Sequence, residues 1–143
     1  GEGSIRFSDC PLARCRAQVL RGEELRGNEG SRNLLLECDG EKLLLCGDAE
    51  EEGLFNIFTQ LGSDLHLAAL LIPHHGSEQV NLDRLISHTS PAEVWFSASR
   101  YSPLAQYWPY SEIPTRWTAR DGGWSVKFKP SLDTAGNLGT RVP

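Results

Sequence analysis

Methionine is absent from all 143 residues, position 1 included, so the sequence is expected to be a processed chain or one cut from something longer. Basic charge is in the minority, 14 Lys+Arg against 19 Asp+Glu, for a formal net charge of -5. A chain of that sign has no general pull on phosphates, and any nucleic-acid contact has to come from a local site. No stretch approaches the roughly 18 apolar residues of a bilayer span. Gly1-Glu2-Gly3-Ser4 lacks the apolar core of a secretory signal. The expectation is a soluble domain with no membrane span. Cysteine is scarce: Cys10, Cys15, Cys38 and Cys46 allow three pairings but are too few and too irregular for a secreted staple framework. Cys10 and Cys15 also lack the second pair that a zinc knuckle needs, so the cysteines read as structural or free thiols. Cys38 and Cys46 sit in apolar runs joined by a tight turn, where they can face each other, and a bond between them stays open. Internal repeats and low-complexity segments are missing too.

What is present is ordinary globular composition, 39% apolar and 23% charged. The length fits one domain, or a piece of one, with a sizeable core. We expect a single partial domain over residues 1–129 and a flexible tail over 130–143, where Gly, Asn, Thr and Asp replace apolar residues. Asn33 to Cys38 and Lys42 to Cys46 are apolar runs separated by Asp39-Gly40, a hairpin signal. Ala49 to Leu61 has helical spacing, with Leu54, Phe55, Phe58 and Leu61 as its apolar stripe and Asp48 as a candidate cap. Leu67 to Ile72 predicts a strand, Asn81 to His88 a short helix, and Val94 to Ser97 another strand. Ser102 to Pro114 reads as a loop packed by its aromatics, and Arg116 to Arg120 with Trp124 to Lys129 as a closing hairpin. Alternation of strands and helices predicts an α/β layer with some parallel pairing.

Two strands run straight into metal-ligand side chains: Leu43-Leu44-Leu45-Cys46-Gly47-Asp48 and Leu70-Leu71-Ile72-Pro73-His74-His75-Gly76-Ser77. Ligands gather beyond the carboxyl ends of strands in open α/β sheets, where loops converge. A bridging carboxylate and an imidazole are what a hydrolytic two-metal site uses, because two cations can activate water and steady a leaving oxygen. The plainer readings are a helix cap for Asp48 and a turn for the histidines. At most one histidine of the pair is expected to bind a given metal, the other supporting it. His66 and His88 are lone surface or helix-edge histidines and are not expected to be ligands. The aromatic loop around Trp108 is expected to be core or a lid.

Asn28 and Ser31, the paired strands, Gly47-Asp48-Ala49-Glu50, Pro73-His74-His75-Gly76-Ser77, Ser97-Ala98-Ser99-Arg100-Tyr101, and Thr118 with Gly123-Trp124 follow one another in a specific order. From about Gly27 to Phe128 this order resembles the C-terminal metallo-β-lactamase-like domain of the ComEC DNA-uptake channel family. The resemblance implies half of an αββα sandwich, a mixed sheet with flanking helices. It implies a metal-dependent phosphodiester hydrolase acting on DNA during competence. Asp48 matches the family's metal-bridging aspartate, His74-His75 its last ligand motif, and Asn28 and Ser31, with Ser77, a polar motif beside the site. The implied cofactor is a divalent metal, zinc or manganese. The implied partners are DNA and the rest of an inner-membrane channel, with this domain leaning to the extracytoplasmic side.

Such a domain carries an earlier His/Asp cluster that supplies most metal ligands, whereas all four histidines here lie at or after position 66. The chain is therefore expected to be the second half only, and to bind metal weakly. Two other readings stay in play: a non-catalytic scaffold that keeps the fold, and a hydrolase of the same superfamily acting on a small lactone or phosphoester.

Overall fold

The computed structural model describes residues 15–20, 25–62, 64–77, 80–128 and 141–142. Its sheet opens with a strand that the sequence reading passed over, β1 (Cys15–Leu20), of which only Leu20 is buried. β1 pairs antiparallel with β2 (Asn33–Cys38), and β2 antiparallel with β3 (Glu41–Leu45). The turn between β2 and β3 places Asp39 at φ 50 and Gly40 at φ 83, the left-handed pair that a two-residue hairpin turn requires. β3 continues through α1 (Glu51–Leu61) to β4 (Ala69–Leu71), then through α2 (Leu82–Thr89) to β5 (Val94–Phe96), and through a one-turn α3 (Pro103–Gln106) to β6 (Thr115–Trp117). The order β1-β2-β3-β4-β5-β6 gives a mixed α/β sheet, antiparallel at its first two pairings and parallel from β3 to β6.

Pairing register separates the two faces. Leu35, Leu44, Leu70 and Val94 stand side by side and join Ile57, Phe58 and Leu85 of the helices in one core. The other face carries Leu34, Leu36, Leu43, Leu45, Leu71 and Trp95. There Leu43 is buried, the other five keep partial exposure, and Val19 at the β1 edge is 61% exposed. Both faces are therefore apolar, but the described helices contribute to the core of one of them. Among the described residues no helix is long and apolar enough to cross a membrane.

Four expectations are corrected. The first helix starts at Glu51, not Ala49, so Asp48 is not its cap; Glu50 holds that position without a side-chain capping hydrogen bond, and Glu29 reaches in to accept from Gly53 N. Its buried stripe is Gly53, Leu54, Ile57 and Phe58. Phe55 is 54% exposed because it lies one residue, about 100°, from Leu54 around the helix, and the Arg84 guanidinium sits 5.4 Å over its ring. The closing hairpin does not form. β6 joins β5 in parallel and runs into a turn of helix α4 (Thr118–Asp121), while β7 (Lys127–Phe128) pairs antiparallel with β8 (Arg141–Val142). Of the expected tail, Arg141 and Val142 lie in a strand pair, and residues 130–140 and 143 fall outside the described residues. The aromatic loop does pack on the core: Trp108 meets Phe96 edge-on at 5.5 Å, and Tyr110 donates to Asp83 of α2, which pushes its hydroxyl up to about 12.

The one disulfide among the described residues joins Cys15 to Cys38, partners across β1 and β2, and not Cys38 to Cys46. Cys46 is a free thiol buried where β3 leaves the sheet, and burial pushes it up from 9.0 to about 12. A thiol with a raised folded-state pKa gives its full stabilisation below the unfolded value and loses it as pH rises through the folded one. We therefore expect the urea midpoint to fall as pH climbs from about 9 towards 12. Iodoacetamide at pH 8, with peptide mapping, should leave Cys46 unmodified in the native chain and label it in urea.

Candidate functional site

The candidate residues gather at the carboxyl ends of three adjacent parallel strands. β3 leads through Cys46-Gly47 to Asp48, β4 through Ile72-Pro73 to His74-His75, and β5 straight into Ser97-Ala98. Gly47 is built for close approach: a Cβ there would lie 2.7 Å from Arg32 O and 3.2 Å from the Ser31 Cβ. Its N–H donates to Oδ1 of Asn33 at 2.9 Å. Asn33 is 3% exposed and spends its amide donors on Ser31 O at 3.0 Å and Leu20 O at 3.4 Å. One buried side chain thereby ties β1, the turn before β2 and the loop that bears Asp48.

The histidine loop is held to this one by His74 N donating to Gly47 O at 2.9 Å, and closed by Ser77 N donating to His74 O at 2.9 Å. His74 (φ 49, ψ 42), His75 (φ 53, ψ 24) and Gly76 (φ 82) are consecutive left-handed residues. For the two histidines that conformation costs of order 1–3 kcal/mol each, and strain of this kind collects at functional sites. It also sends the two rings to different partners. His74 Nδ1 lies 2.9 Å from Glu50 Oε1, a charge contact that is not aligned as a hydrogen bond, with 26% and 18% of the two side chains exposed. His75 Nδ1 lies 2.6 Å from Ser97 O. A carbonyl only accepts, so this ring nitrogen carries the proton, which leaves Nε2 with its lone pair in the neutral ring. Nε2 is 3.6 Å from Asp48 Oδ1, and both side chains are open to solvent, at 66% and 46% exposure.

The structure thus brings Asp48 and His75 together and turns His74 away to Glu50. Ser31 lies against Gly47 beside Asp48, and Asn28, in the short 3-10 turn Gly27–Gly30, accepts from Ser31 N at 3.0 Å. Ser77 closes the histidine turn through its backbone. His66 pairs with Asp64 at 3.0 Å on the surface, and His88 stacks on Phe58 at 4.6 Å. A histidine whose Nδ1 is fixed by a carbonyl and whose Nε2 faces a carboxylate is a donor arrangement suited to a divalent cation. Among the described residues no group of three His, Cys, Asp or Glu side chains is gathered, so these residues offer two donors of the right kinds and not a closed set.

Sequence reasoning gave no role to Asn33, and it quoted Glu50, Ser97 and Thr118 only as members of motifs, without a role at the site. Thr118 Oγ1 and Trp117 Nε1 both bond Ala98 O, at 3.2 and 3.1 Å. Trp117 N donates to Asp121 Oδ2 at 2.8 Å, and the Arg120 side chain, then this N–H, hold the Asp121 carboxyl down at about 2. Comparison with protein-family models finds no match, and no curated protein sequence matches the chain.

Proposed function

We propose that this chain is the second half of a metallo-β-lactamase-like αββα hydrolase domain of the ComEC DNA-uptake kind, contributing Asp48 and His75 to a divalent metal site for phosphodiester hydrolysis. The observation that carries the reading is the 3.6 Å approach of Asp48 Oδ1 to His75 Nε2, with His75 Nδ1 anchored on Ser97 O. The apolar second face of the sheet agrees with it, since a sheet greasy on both sides needs a layer on each. The Cys15–Cys38 disulfide favours an oxidising, extracytoplasmic setting for the domain.

Asp48 and His75 would hold zinc or manganese, and the ion would supply Lewis acidity at a phosphoryl oxygen and activation of water. The chain's own part is positional. Ser97 O fixes which imidazole nitrogen is basic, the Gly47–Asn33 bond sets the Asp48 loop, and the left-handed turn aims His75 at it. His74 is placed to support the loop through Glu50, not to bind the metal. With two donors the affinity of this chain is expected to be weak, because most of the ion's coordination stays with water.

Mn2+ titration of the 15N-labelled chain tests the site: paramagnetic broadening should centre on Asp48 and His75. Broadening centred elsewhere, or none up to about 10 mM, overturns it. The reaction class is tested in the longest polypeptide that contains this chain, by screening DNA against lactones and small phosphoesters. DNA cleavage is expected, and turnover of the small molecules alone would sink the nuclease reading.

A further inference from the structure

The hydrogen bond that fixes His75 ends on a peptide group whose other end is also held. Ser97 C=O and Ala98 N–H belong to one amide, and in a trans peptide they point in opposite directions within one plane. Ser97 O accepts from His75 Nδ1 at 2.6 Å, while Ala98 N donates to Thr118 Oγ1 at 3.2 Å. The same hydroxyl donates to Ala98 O at 3.2 Å, beside the Trp117 indole. Pairing of β5 with β6 ends at Phe96 and Trp117, so Thr118 extends the ladder by side chain one step beyond its last backbone rung. Thr118 itself is exposed and lies outside the core cluster, so packing of the core does not explain a threonine there.

We propose that Thr118 is a positioning residue for His75: its hydroxyl sets the tilt of the Ser97–Ala98 amide, and that plane holds the ring by its Nδ1–H with Nε2 facing Asp48. An amide held only at its carbonyl end can rock about the chain axis and carry the oxygen off the imidazole N–H. Pinned at both ends, it has one orientation, and a hydrogen bond at the N–H polarises the carbonyl into a better acceptor. The anchor is itself fixed, because Trp117 N is held by Asp121. The inference rests on His75 being the site histidine, but its effect is read on the ring without metal or substrate.

The test uses the metal-free, 15N-labelled full chain at a pH where the His75 ring is neutral. Long-range 1H–15N spectra give the ratio of the Nδ1–H to the Nε2–H tautomer. Thr118→Val should lower this ratio about 3- to 10-fold, the factor that an ordinary hydrogen bond contributes. Thr118→Ser should restore it. Trp117→Phe removes only the indole donor on Ala98 O and should leave the ratio within about twofold, well below the weight of a full hydrogen bond. An unchanged ratio in Thr118→Val overturns the proposal, as does an equal fall in Trp117→Phe, which would assign the effect to general packing of the loop. Thr118→Ala carries the same comparison if valine disturbs the fold. A wild-type chain that binds no Mn2+ at Asp48 while Thr118→Val still shifts the tautomer sinks the metal reading alone.

Discussion

Replacing His75 with alanine is expected to weaken Mn2+ binding about 10-fold or more, since loss of even an outer-shell partner costs that much, whereas replacing His74 leaves it within about threefold. The asymmetry follows from the left-handed turn. Both histidines follow the same strand, but His75 presents Nε2 to Asp48 at 3.6 Å, and His74 is occupied with Glu50 at 2.9 Å. Asp48→Asn should match the loss in His75→Ala, since an amide oxygen carries no charge and the cation then keeps one strong donor. The two losses should also be far from additive, because each substitution leaves a lone ligand that holds a divalent ion hardly better than water does. In the longest polypeptide containing this chain, the same two substitutions should abolish DNA cleavage while His74→Ala retains a measurable rate. Equal losses for His74→Ala and His75→Ala would show that the rings are not divided as the turn divides them, and would remove the geometric basis of the proposed site.

Much of the framework can be read from the residues, and the reasons differ from element to element. The β2–β3 hairpin announces itself through two apolar runs around Asp39-Gly40, and β4 and β5 through short apolar segments closed by turn residues. β1 gave no such signal. Arg16, Ala17, Gln18 and Val19 are all exposed, since an edge strand with one neighbour need bury little, and its place is fixed instead by the Leu20 contact and the Cys15–Cys38 bond. The false hairpin near the C-terminus has a similar origin. Asp121-Gly122-Gly123 is a strong turn signal, but parallel pairing with β5 captures Thr115–Trp117 first, and a turn of helix follows.

The candidate site is legible to the same degree. That Asp48 and a histidine of the pair lie on one rim follows from both standing just past the ends of strands, because neighbouring parallel strands present their carboxyl ends together. Which histidine faces the aspartate was not legible, because it depends on two consecutive left-handed non-glycine residues, a backbone state uncommon even for histidine. Nor was Ser97, which acts through a backbone carbonyl and so leaves no trace in residue type. Asn33 was hidden by its surroundings: a polar residue at the head of an apolar run reads as a strand boundary, whereas here it is a buried connector.

Asn33→Leu is therefore expected to be strongly disruptive, costing about 2–4 kcal/mol of stability in urea unfolding. Leucine keeps the branching of asparagine but is bulkier, so the cost combines the lost hydrogen bonds with crowding at a packed position. Gly47 N–H, Ser31 C=O and Leu20 C=O lose their partner together, in a place 3% exposed where water cannot stand in. Asn33→Asp separates the two roles of the side chain. It keeps an acceptor for Gly47 N but sets a carboxylate against two carbonyl oxygens, so at pH 7 it should destabilise at least as much as leucine. Burial beside acceptors raises the pKa of the new carboxyl in the folded state, and a raised carboxyl favours folding below its unfolded value near 3.9 and loses that contribution as pH rises. The gap between Asn33→Asp and wild type should consequently narrow as pH falls from 7 towards 4, while the gap for Asn33→Leu stays level. Because Gly47 N–H orients the loop that bears Asp48, Asn33→Leu should also spread the Mn2+ broadening away from Asp48, whereas Asn33→Asp, which keeps that acceptor, should leave it centred there. A fully stable Asn33→Leu, or one that keeps the broadening focused on Asp48, would mean that the loop is set by Gly47 packing on Arg32 and not by the buried amide.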